Sequence, residues 1–488
     1  MDNTNPPIKL HPENPHYFLF REKPTILFTS GEHYSIVMNR HFDYVKYFDT
    51  LQELGFNHTR VYTGVKRERP GEHSIDGNAL AVLAEDFIGP WIRSDVPGAA
   101  DGGNKFDLDV FDEEYFRRFK EILREAGKRG IELEIIVFGP LHLGGDGVGP
   151  WGICPLNSIN NTNQVGDVPF WEVLSMKHPK LVAYMDAYTR RLVTELNEFD
   201  NLHYEICNEP YTHATRIVEN GACMEFTDEA MRLEWQQHVA DVIYETESGL
   251  PNRHLISCNY SAGFCEIDRP LRHVDLYCFH YINPEAVRRN YPLNKAIGMN
   301  ETGIMCTAQY VRQSWKALLS GLALYNMLDY TFTMGHEDGT YSPLRSSPAY
   351  LGISGDELRG RLKIVNDFMN SFDFIRMKPA MELLKYDIGL NPEMVVFAEK
   401  NEQYALYQID NQHSGYPYTC ALGLKADTGE YKVEVIDTVT GMHLAEYETG
   451  LEEGTIPVYW CNPQTYNENH EIEFAVRVKR IHRQQGTQ

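Results

Sequence analysis

Short apolar runs alternate with longer amphipathic stretches from about residue 24 to residue 372. The short runs have the length and the β-branched and aromatic content of buried strands, and the stretches between them have the apolar spacing of helices. Strands are predicted at 25–29, 58–62, 132–138, 202–207, 255–259, 274–279, 295–299 and 323–332. This alternation predicts βα units and therefore a parallel sheet.

The main predicted helices cover residues 42–54, 113–128, 181–198, 227–247 and 309–322. Asp112 and Asp228 stand where they can cap or flank helix starts, and Gly55 and Gly130 stand where helices end. Eight strands with crossover helices favour a closed (β/α)8 TIM barrel over an open sheet. We expect this α/β barrel to occupy residues 1–380.

Two long segments rich in glycine, proline and asparagine follow the second and third predicted strands. In such a barrel, the loops after the strands lie on the face where sites are built. Long loops inside a compact domain are usually functional. We therefore expect these two segments to shape a substrate cleft.

After residue 384 the chain changes to short runs of alternating apolar and polar residues separated by turn residues. Period-two runs of this kind are typical of antiparallel strands with one buried face. They predict a small antiparallel β-sandwich over residues 385–488. Its sequence is compatible with a domain that packs against the barrel and with a sugar-binding module.

Composition narrows the classes of partner. The chain has 45 Lys and Arg against 69 Asp and Glu, a net charge of −24, which disfavours nucleic acid and anionic membranes as partners. Aromatic residues make up 12% of the chain, and aromatic rings stack on the apolar faces of sugars. A carbohydrate partner is therefore compatible, while the oligomeric state is left open.

The nine cysteines are scattered, without a pair or a Cys/His cluster at zinc spacing, so neither disulfides nor a metal site is predicted. Cys207, Cys258, Cys278 and Cys306 fall in or beside apolar runs and are expected to be buried thiols. Phosphate-binding and dinucleotide motifs are lacking, so no cofactor is predicted.

The first residues show no signal-peptide pattern, and no run reaches the roughly 18 apolar residues of a membrane span. We therefore expect no membrane partner. The expected location is cytoplasmic, or periplasmic or secreted if a signal has been removed.

Two glutamates end predicted strands in contexts that suit carbohydrate chemistry. Glu209 follows the fourth strand in LHYEICNEP, and Glu301 follows the seventh in KAIGMNETG. Cleavage of a glycosidic bond needs two carboxyl groups, one to protonate the leaving oxygen and one to attack the sugar or activate water. For each glutamate the alternative is a solvated loop carboxylate or a charge at a helix start.

Asn208, Glu209 and Pro210, with a second strand-terminal glutamate, resemble the pattern of clan A glycoside hydrolases. Over residues 15–375 the chain is most similar to family 5 cellulase-like enzymes and to bacterial cellulase-type hydrolases with openings like HPENPHYFLFREKPTILFTSGEHY. The resemblance implies that Glu209 is the general acid/base, Glu301 the nucleophile and Asn208 a ligand of the sugar 2-hydroxyl. It also implies retention of anomeric configuration, for which the two carboxyl groups lie about 5 to 5.5 Å apart.

Two further positions match the family in part. Arg60 resembles the strand-two arginine that supports the nucleophile, and a planar guanidinium suits that task. The family has a His-x-Tyr pair at the end of strand six, whereas His280 and Tyr281 are adjacent here. Neighbouring strand residues point to opposite faces, so one ring is expected to face the site, and we favour Tyr281 over His280.

Other polar and aromatic residues at strand ends and in the long loops are candidates for contacts with sugar. They are Glu32, His33, His142, His336, Asp338, Trp151, Trp171 and Tyr211. The aromatic members could stack on sugar rings or hold their own loops in place. The tryptophan that the family carries on strand eight has no clear equivalent here, so cellulase specificity is not implied.

The sequence therefore predicts a retaining glycoside hydrolase that acts on a plant or microbial oligosaccharide or polysaccharide by double displacement. In such an enzyme the pKa of Glu209 is expected to be raised, and Glu301 is expected to stay ionised. A transglycosylase differs only in the acceptor. The alternatives of another class are a catalytically silent carbohydrate-binding barrel and a metal-dependent barrel hydrolase.

Overall fold

A computed structural model describes residues 5–141, 149–210, 217–219, 222–224, 229–262, 266–281, 283–302, 307–343, 355–386, 393–410, 419–461 and 472–482. The chain forms two compact units. The first comprises Met1–Ile282, Leu293–Thr307 and Ala323–Asp356, and the second comprises Asn283–Pro292, Ala308–Leu322 and Glu357–Gln488.

Eight parallel strands form the main sheet of the first unit. They are β1 Leu27–Gly31, β2 His58–Tyr62, β3 Glu132–Phe138, β4 Leu202–Cys207, β5 Ile256–Ala262, β6 Leu276–His280, β7 Ala296–Glu301 and β8 Leu324–Leu328. Hydrogen bonds join them in the order β1-β8-β7-β6-β5-β4-β3-β2. In this order sequential strands are neighbours and the first pairs with the last, as in a (β/α)8 barrel. The predicted barrel is confirmed, and β2, β3 and β4 have the predicted bounds.

The seam between β1 and β2 is closed by the side chain of Asn57. Its Oδ1 accepts a hydrogen bond from the Phe28 amide at 2.9 Å, and its Nδ2 donates to the Ile26 carbonyl at 2.9 Å. The Asn57 amide also donates to the Phe28 carbonyl at 3.3 Å. This side-chain amide takes the place of a strand peptide and satisfies backbone groups at the two edges of the sheet.

Helices lie between the strands along the chain. They are α1 Tyr44–Glu53, α2 Glu113–Lys128, α3 Gly149–Ile153, α4 Pro179–Leu196, α5 Glu229–Glu247, α6 Pro284–Asn290, α7 Thr307–Leu318 and α8 Gly355–Asn370. The helices α1, α2, α4, α5 and α7 overlap the predicted ones. Within the described ranges, no helix is long and apolar enough to cross a bilayer.

Helix ends follow the expected chemistry. The Asp112 carboxylate accepts hydrogen bonds from the amides of Glu114 at 2.9 Å and Tyr115 at 3.4 Å, which caps α2 as predicted. Gly55 and Gly130 have φ angles of 74° and 73°, the left-handed conformation that ends a helix and that glycine adopts without strain. The predicted cap Asp228 lies outside the described residues.

The segment after β2 includes regular structure that its glycine content did not suggest. Trp91–Pro97 and Asn104–Phe111 form an antiparallel hairpin. The second strand alternates buried Phe106 and Leu108 with more exposed aspartates, as expected for a half-buried strand. This alternation was a strand signal within a segment that had been assigned to a loop.

The segment after β3 contains α3 and is held by two asparagines. The Asn160 amide donates to the carbonyls of Gly152 at 2.8 Å and Cys154 at 2.9 Å. The Asn161 amide donates to the Val165 carbonyl at 2.9 Å. Both asparagines are buried, so their hydrogen bonds fix the path of the loop.

Two antiparallel sheets in the second unit enclose one apolar core. Their strands are β9 Lys378–Pro379, β10 Leu384–Tyr386, β11 Glu393–Glu399, β12 Gln403–Asp410, β13 Thr419–Lys425, β14 Tyr431–Asp437, β15 His443–Thr449, β16 Thr455–Cys461 and β17 Ile472–Arg480. One sheet has the order β9-β11-β12-β17-β14-β15 and the other β10-β13-β16. Leu406 and Val433 from the first sheet share the core with Leu422 and Val458 from the second. The predicted β-sandwich is confirmed.

The cysteines singled out in the sequence are partly described. Cys207, Cys258 and Cys278 are buried free thiols, as expected. Cys306 lies outside the described residues.

We expect Asp112→Ala to lower the free energy of unfolding of the barrel by about 1 kcal/mol, because two amides at the start of α2 lose their acceptor. Urea denaturation followed by circular dichroism measures this. The matched control is Glu121→Ala in the same helix, where only an exposed ion pair with Arg117 is lost and the change stays below about 0.5 kcal/mol. Equal effects of the two variants would contradict the assignment of the cap.

Candidate active site

Glu209 and Glu301 meet at the carboxyl ends of barrel strands. Glu301 is the last residue of β7, and Glu209 follows β4 by two residues. One carboxylate oxygen of each and a ring nitrogen of His280 lie within 4.8 Å of one another. The structure thus brings together the two glutamates that the sequence predicted.

The backbone at Glu209 leaves the extended conformation of β4. Glu209 has a φ of 43°, which is unfavourable for a residue with a Cβ and persists only where its surroundings hold it. The Glu209 amide donates to Oδ1 of Asn259, on β5, at 3.2 Å. The preceding Asn208 amide donates to the Phe138 carbonyl at 3.0 Å. Neighbouring strands on both sides of β4 therefore fix this turn.

Arg60 on β2 connects the parts of the site. Its guanidinium is fully buried. Nη1 donates to Glu301 Oε2 at 3.2 Å and to the Asn300 carbonyl at 3.1 Å. Nη2 donates to Asn208 Oδ1 at 2.9 Å and to Glu205 Oε2 at 2.6 Å. One planar group thus orients both Glu301 and the amide of Asn208, as the family resemblance implied for the arginine.

His280 and Tyr281 both contact the carboxylates. His280 Nδ1 lies 2.6 Å from Glu209 Oε1 and 3.7 Å from Glu301 Oε1. The Tyr281 hydroxyl donates to Glu301 Oε1 at 3.4 Å. The expectation that only one ring faces the site was wrong, because β6 ends at His280 and Tyr281 has a φ of 53°. The alternation of side chains applies only while the strand continues.

The two carboxyl groups have oppositely shifted pKa values. Burial alone would raise the pKa of Glu209, but His280 outweighs it through its charge and its hydrogen bond, with help from Lys66 and Arg60, so this pKa is lowered. Burial dominates at Glu301, where His280 and Arg60 oppose it and the charge of Glu209 adds to it, and this pKa is raised. The sequence had predicted the reverse order, with a raised pKa for Glu209 and an ionised Glu301. The cause is that His280 lies closer to Glu209 than to Glu301.

Three residues of the site were missed in the sequence. Buried Lys66 follows β2, donates to Glu68 Oε1 at 2.8 Å and lies over the Tyr62 ring at 4.8 Å. The ring of Tyr34 lies 4.7 Å from the Arg60 guanidinium carbon. Asn259 ended the predicted fifth strand, so a polar residue in that position was a signal. Lys66 and Tyr34 lie in loops, where the sequence pattern does not fix orientation.

Glu32 and His33, which follow β1, are both buried. The Glu32 carboxylate accepts hydrogen bonds from the amide of Ser35 and, at 2.7 Å, from its hydroxyl, so it is tied to its own loop. Burial raises the pKa of Glu32 to about 7. Burial lowers the pKa of His33 to about 4, and its ring packs edge-on against Tyr330 at 5.2 Å. His33 is therefore neutral around pH 7.

The loop after β8 holds two further candidates. The exposed His336 has Nδ1 at 3.0 Å from the Thr340 hydroxyl. Asp338 forms an ion pair with Lys46 at 2.8 Å. His336 thus has a partner in its own loop, and Asp338 has one in α1.

The aromatic candidates in the long loops differ in exposure. Trp151 is buried in α3, which favours the alternative that it holds its loop in place. Trp171 is half-buried and lies edge-on to Phe170 at 5.2 Å. His142 and Tyr211 lie outside the described residues.

Two groups of side chains among the described residues have donor atoms close enough to hold a metal ion. They are Glu209, His280 and Glu301 in the barrel, and Glu434, His443 and Glu446 in the sandwich. In the sandwich group, Glu434 is already paired with Arg477 at 2.6 Å and with Lys432 at 3.2 Å. Carboxylate and imidazole donors suit divalent cations such as zinc, so the barrel group calls for a chelator test.

No family model matches this sequence, and no curated protein matches it. Solved structures are similar in fold. An inferred glycoside hydrolase from Bacteroides vulgatus ATCC 8482 aligns over 99% of this chain and 83% of its own, at 13% identity and a TM-score of 0.63. A family 5 glycoside hydrolase from the same organism aligns over 97% and 94%, at 11% identity and a TM-score of 0.60.

A third structure, described as a glycoside hydrolase, aligns over 98% of both chains, at 11% identity and a TM-score of 0.58. At such identities the likeness shows the fold, on which many different functions occur. The resemblance to family 5 enzymes is therefore confirmed at the level of the fold.

We expect His280→Ala to raise the pKa of Glu209, because the carboxylate loses its hydrogen-bonded partner while it stays buried. Carboxyl carbon NMR of glutamate-labelled protein measures this, with Glu209→Gln to assign the signal. His336→Ala, which removes an exposed histidine of the loop after β8, is the control and leaves the titration unchanged. An unaltered Glu209 titration in His280→Ala would show that His280 does not control this carboxyl group.

Proposed function

We propose that the protein is a retaining glycoside hydrolase that cleaves O-glycosidic bonds of an oligosaccharide or polysaccharide by double displacement. The observation that carries this proposal is the approach of Glu209 and Glu301 oxygens to within 4.8 Å at two barrel strand ends. Retaining enzymes hold their carboxyl groups about 5 to 5.5 Å apart, whereas inverting enzymes need roughly 6.5 to 9.5 Å to admit a water. The short separation favours direct attack by one carboxylate.

Glu301 is the nucleophile in this proposal. Its Oε2 accepts from Arg60 and its Oε1 accepts from Tyr281, so donors on both oxygens orient the carboxylate. Attack on the anomeric carbon forms a covalent glycosyl ester while the bond to the leaving oxygen breaks. Asn208, whose Oδ1 accepts from Arg60 at 2.9 Å, binds a neighbouring sugar hydroxyl in this proposal.

Glu209 supplies the proton to the leaving oxygen and then removes a proton from the water that hydrolyses the ester. Two carboxyl groups this close share protons, so the free site titrates as a pair. Positive charge that develops on the sugar favours ionised Glu301, and this moves the shared proton towards Glu209. His280 Nδ1 lies 2.6 Å from Glu209 Oε1, within hydrogen-bond distance of this carboxyl group.

Further support comes from the solved structures of similar fold, since those aligned over nearly the whole chain are described as glycoside hydrolases. A transglycosylase would use the same residues with a sugar hydroxyl in place of water. A silent carbohydrate-binding barrel is less favoured, because binding alone does not require two adjacent carboxylates with an arginine and a tyrosine on one of them.

We expect wild type to hydrolyse at least one aryl glycoside with retention, measured by proton NMR of the first-formed sugar. On an aryl β-glycoside, Glu209→Ala lowers kcat/KM roughly 10²- to 10⁴-fold, and azide restores turnover with a β-glycosyl azide as product. Glu301→Ala loses hydrolysis, and azide yields the α-glycosyl azide, since it attacks from the vacated face.

The matched control is Glu53→Ala, which removes an exposed glutamate at the end of α1 and keeps wild-type kinetics. Full activity of both Glu209→Ala and Glu301→Ala on a substrate that wild type cleaves would refute the assignment. Inversion of configuration by wild type would refute the double displacement.

We expect treatment with a chelator such as EDTA to leave kcat/KM on the same glycoside unchanged, because the two-carboxylate mechanism needs no Lewis acid. A loss of activity that zinc or magnesium restores would instead favour a metal-dependent hydrolase built on Glu209, His280 and Glu301.

A further inference from the structure

We infer that Glu134 and Glu205, inside the barrel beside Arg60, share one proton and act as positioning residues whose single negative charge sets the pH range in which Glu301 works. The kinetic part of this inference rests on the proposed function. The shared proton itself does not, and it is measured without a substrate.

The two glutamates lie side by side on β3 and β4, and both are fully buried. Their carboxyl groups accept hydrogen bonds from the same side-chain amide, since Asn300 Nδ2 lies 2.9 Å from Glu134 Oε1 and 2.6 Å from Glu205 Oε2. Two ionised carboxylates held this close in a buried site repel each other, and a proton on one of them removes that repulsion. Glu134 Oε2 and Glu205 Oε1 accept no hydrogen bond from the described residues, and they are the atoms left for that proton.

The remaining contacts show where the proton is held. Glu205 Oε2 accepts from Arg60 at 2.6 Å and from the Asn300 amide at 2.6 Å, as the carbonyl oxygen of a neutral acid can. Arg60 contacts both carboxyl groups, since its Nε lies 3.0 Å from Glu134 Oε2. Glu134 also has a second basic neighbour, because His203 Nε2 lies 3.4 Å from Glu134 Oε1. We therefore assign the negative charge to Glu134.

The same assignment follows from the direction of titration. Burial and the charge of Glu134 raise the pKa of Glu205 well above its usual range, and Arg60 only partly opposes this. Burial would raise the pKa of Glu134 too, but Arg60 and His203 hold it well below its usual range. The proton belongs to Glu205.

The groups around the pair limit the charge that it can carry. The chargeable side chains that face it are His58 and Arg60 of β2, Glu132 of β3, His203 of β4 and Glu301 of β7. Despite burial, Glu132 and Glu134 raise the pKa of His203 to about 10. A second charge on the pair would leave a buried carboxylate without a dedicated cation, which is costly in an interior.

The other titratable neighbours of the pair are neutral. They are Tyr34, Tyr62, Cys207, Cys258 and Cys278, whose pKa values are all raised by burial. Arg60 is therefore the group that the pair and Glu301 have in common. With one negative charge on the pair, more of the guanidinium's positive charge is left to stabilise ionised Glu301 and orient it.

The first test is infrared difference spectroscopy between wild type and variants. Wild type is expected to show the C=O band of a protonated carboxylic acid that persists at alkaline pH. This band disappears both in Glu205→Gln and in Glu134→Gln, where Glu205 ionises because the neighbouring charge is gone. Glu132→Gln, an equally buried change at a carboxylate paired with two histidines, keeps the band.

The second test is the pH dependence of kcat/KM for the same variants. Each single glutamine variant still carries one negative charge, so the bell-shaped profile stays in place. Glu134→Gln/Glu205→Gln carries none, and both limbs move to lower pH by roughly one pH unit because the Arg60 charge then favours ionised Glu301. This non-additive pattern distinguishes control of charge from loss of packing, which would lower kcat without moving the limbs.

Absence of the persistent band in wild type would overturn the shared proton. Equal shifts of the profile in the two single variants would also overturn it, since both carboxyl groups would then be ionised. If wild type cleaves no glycoside, the proposed function fails while the infrared result still decides the state of the pair. If the glutamine variants do not fold, the infrared titration of wild type alone carries the test.

Discussion

The site depends on one buried guanidinium. Arg60 is fully enclosed and in contact with Glu134, Glu205 and Glu301, together with Asn208. A buried cation without partners would cost several kcal/mol, so these acceptors are required for Arg60 to be there at all. Its planar, multiply bonded geometry then fixes the strand ends that carry the chemistry. The contacts that allow Arg60 to be buried therefore also orient the side chains of the site.

The barrel interior is accordingly polar where such barrels usually hold branched apolar residues. Below the level of Arg60, Glu132 bridges the rings of His58 and His203 at 2.7 and 2.6 Å, and all three residues are buried. Because the Glu132 carboxylate bonds to one ring from each neighbouring strand, it ties strands β2, β3 and β4 together. The interior of the barrel is less adaptable as a result, and the reacting groups at the strand ends are held more precisely.

The periodic elements could be predicted because their signals are local. Strands β2 to β4 and the cap at Asp112 follow from residue type and spacing alone. The polar interior also had a signal, since His58 and Arg60, Glu132 and Glu134, and His203 and Glu205 are all two residues apart and so share a strand face. No sequence signal predicted that both His280 and Tyr281 lie at the site, because this placement depends on a positive φ after β6. The order of the two carboxyl pKa values likewise depends on a distance to His280 that only the folded chain sets.

The closure of the barrel at Asn57 has a consequence for how the protein is made. Asn57, His58 and Thr59 form a sequon for N-linked glycosylation. The Nδ2 atom that an oligosaccharyltransferase would modify is the one that donates to the Ile26 carbonyl across the seam. A glycan attached before folding would occupy the atom that joins the first two strands. Production in a secretory eukaryotic host therefore conflicts with closure of the barrel, and a bacterial or cytosolic host avoids the conflict.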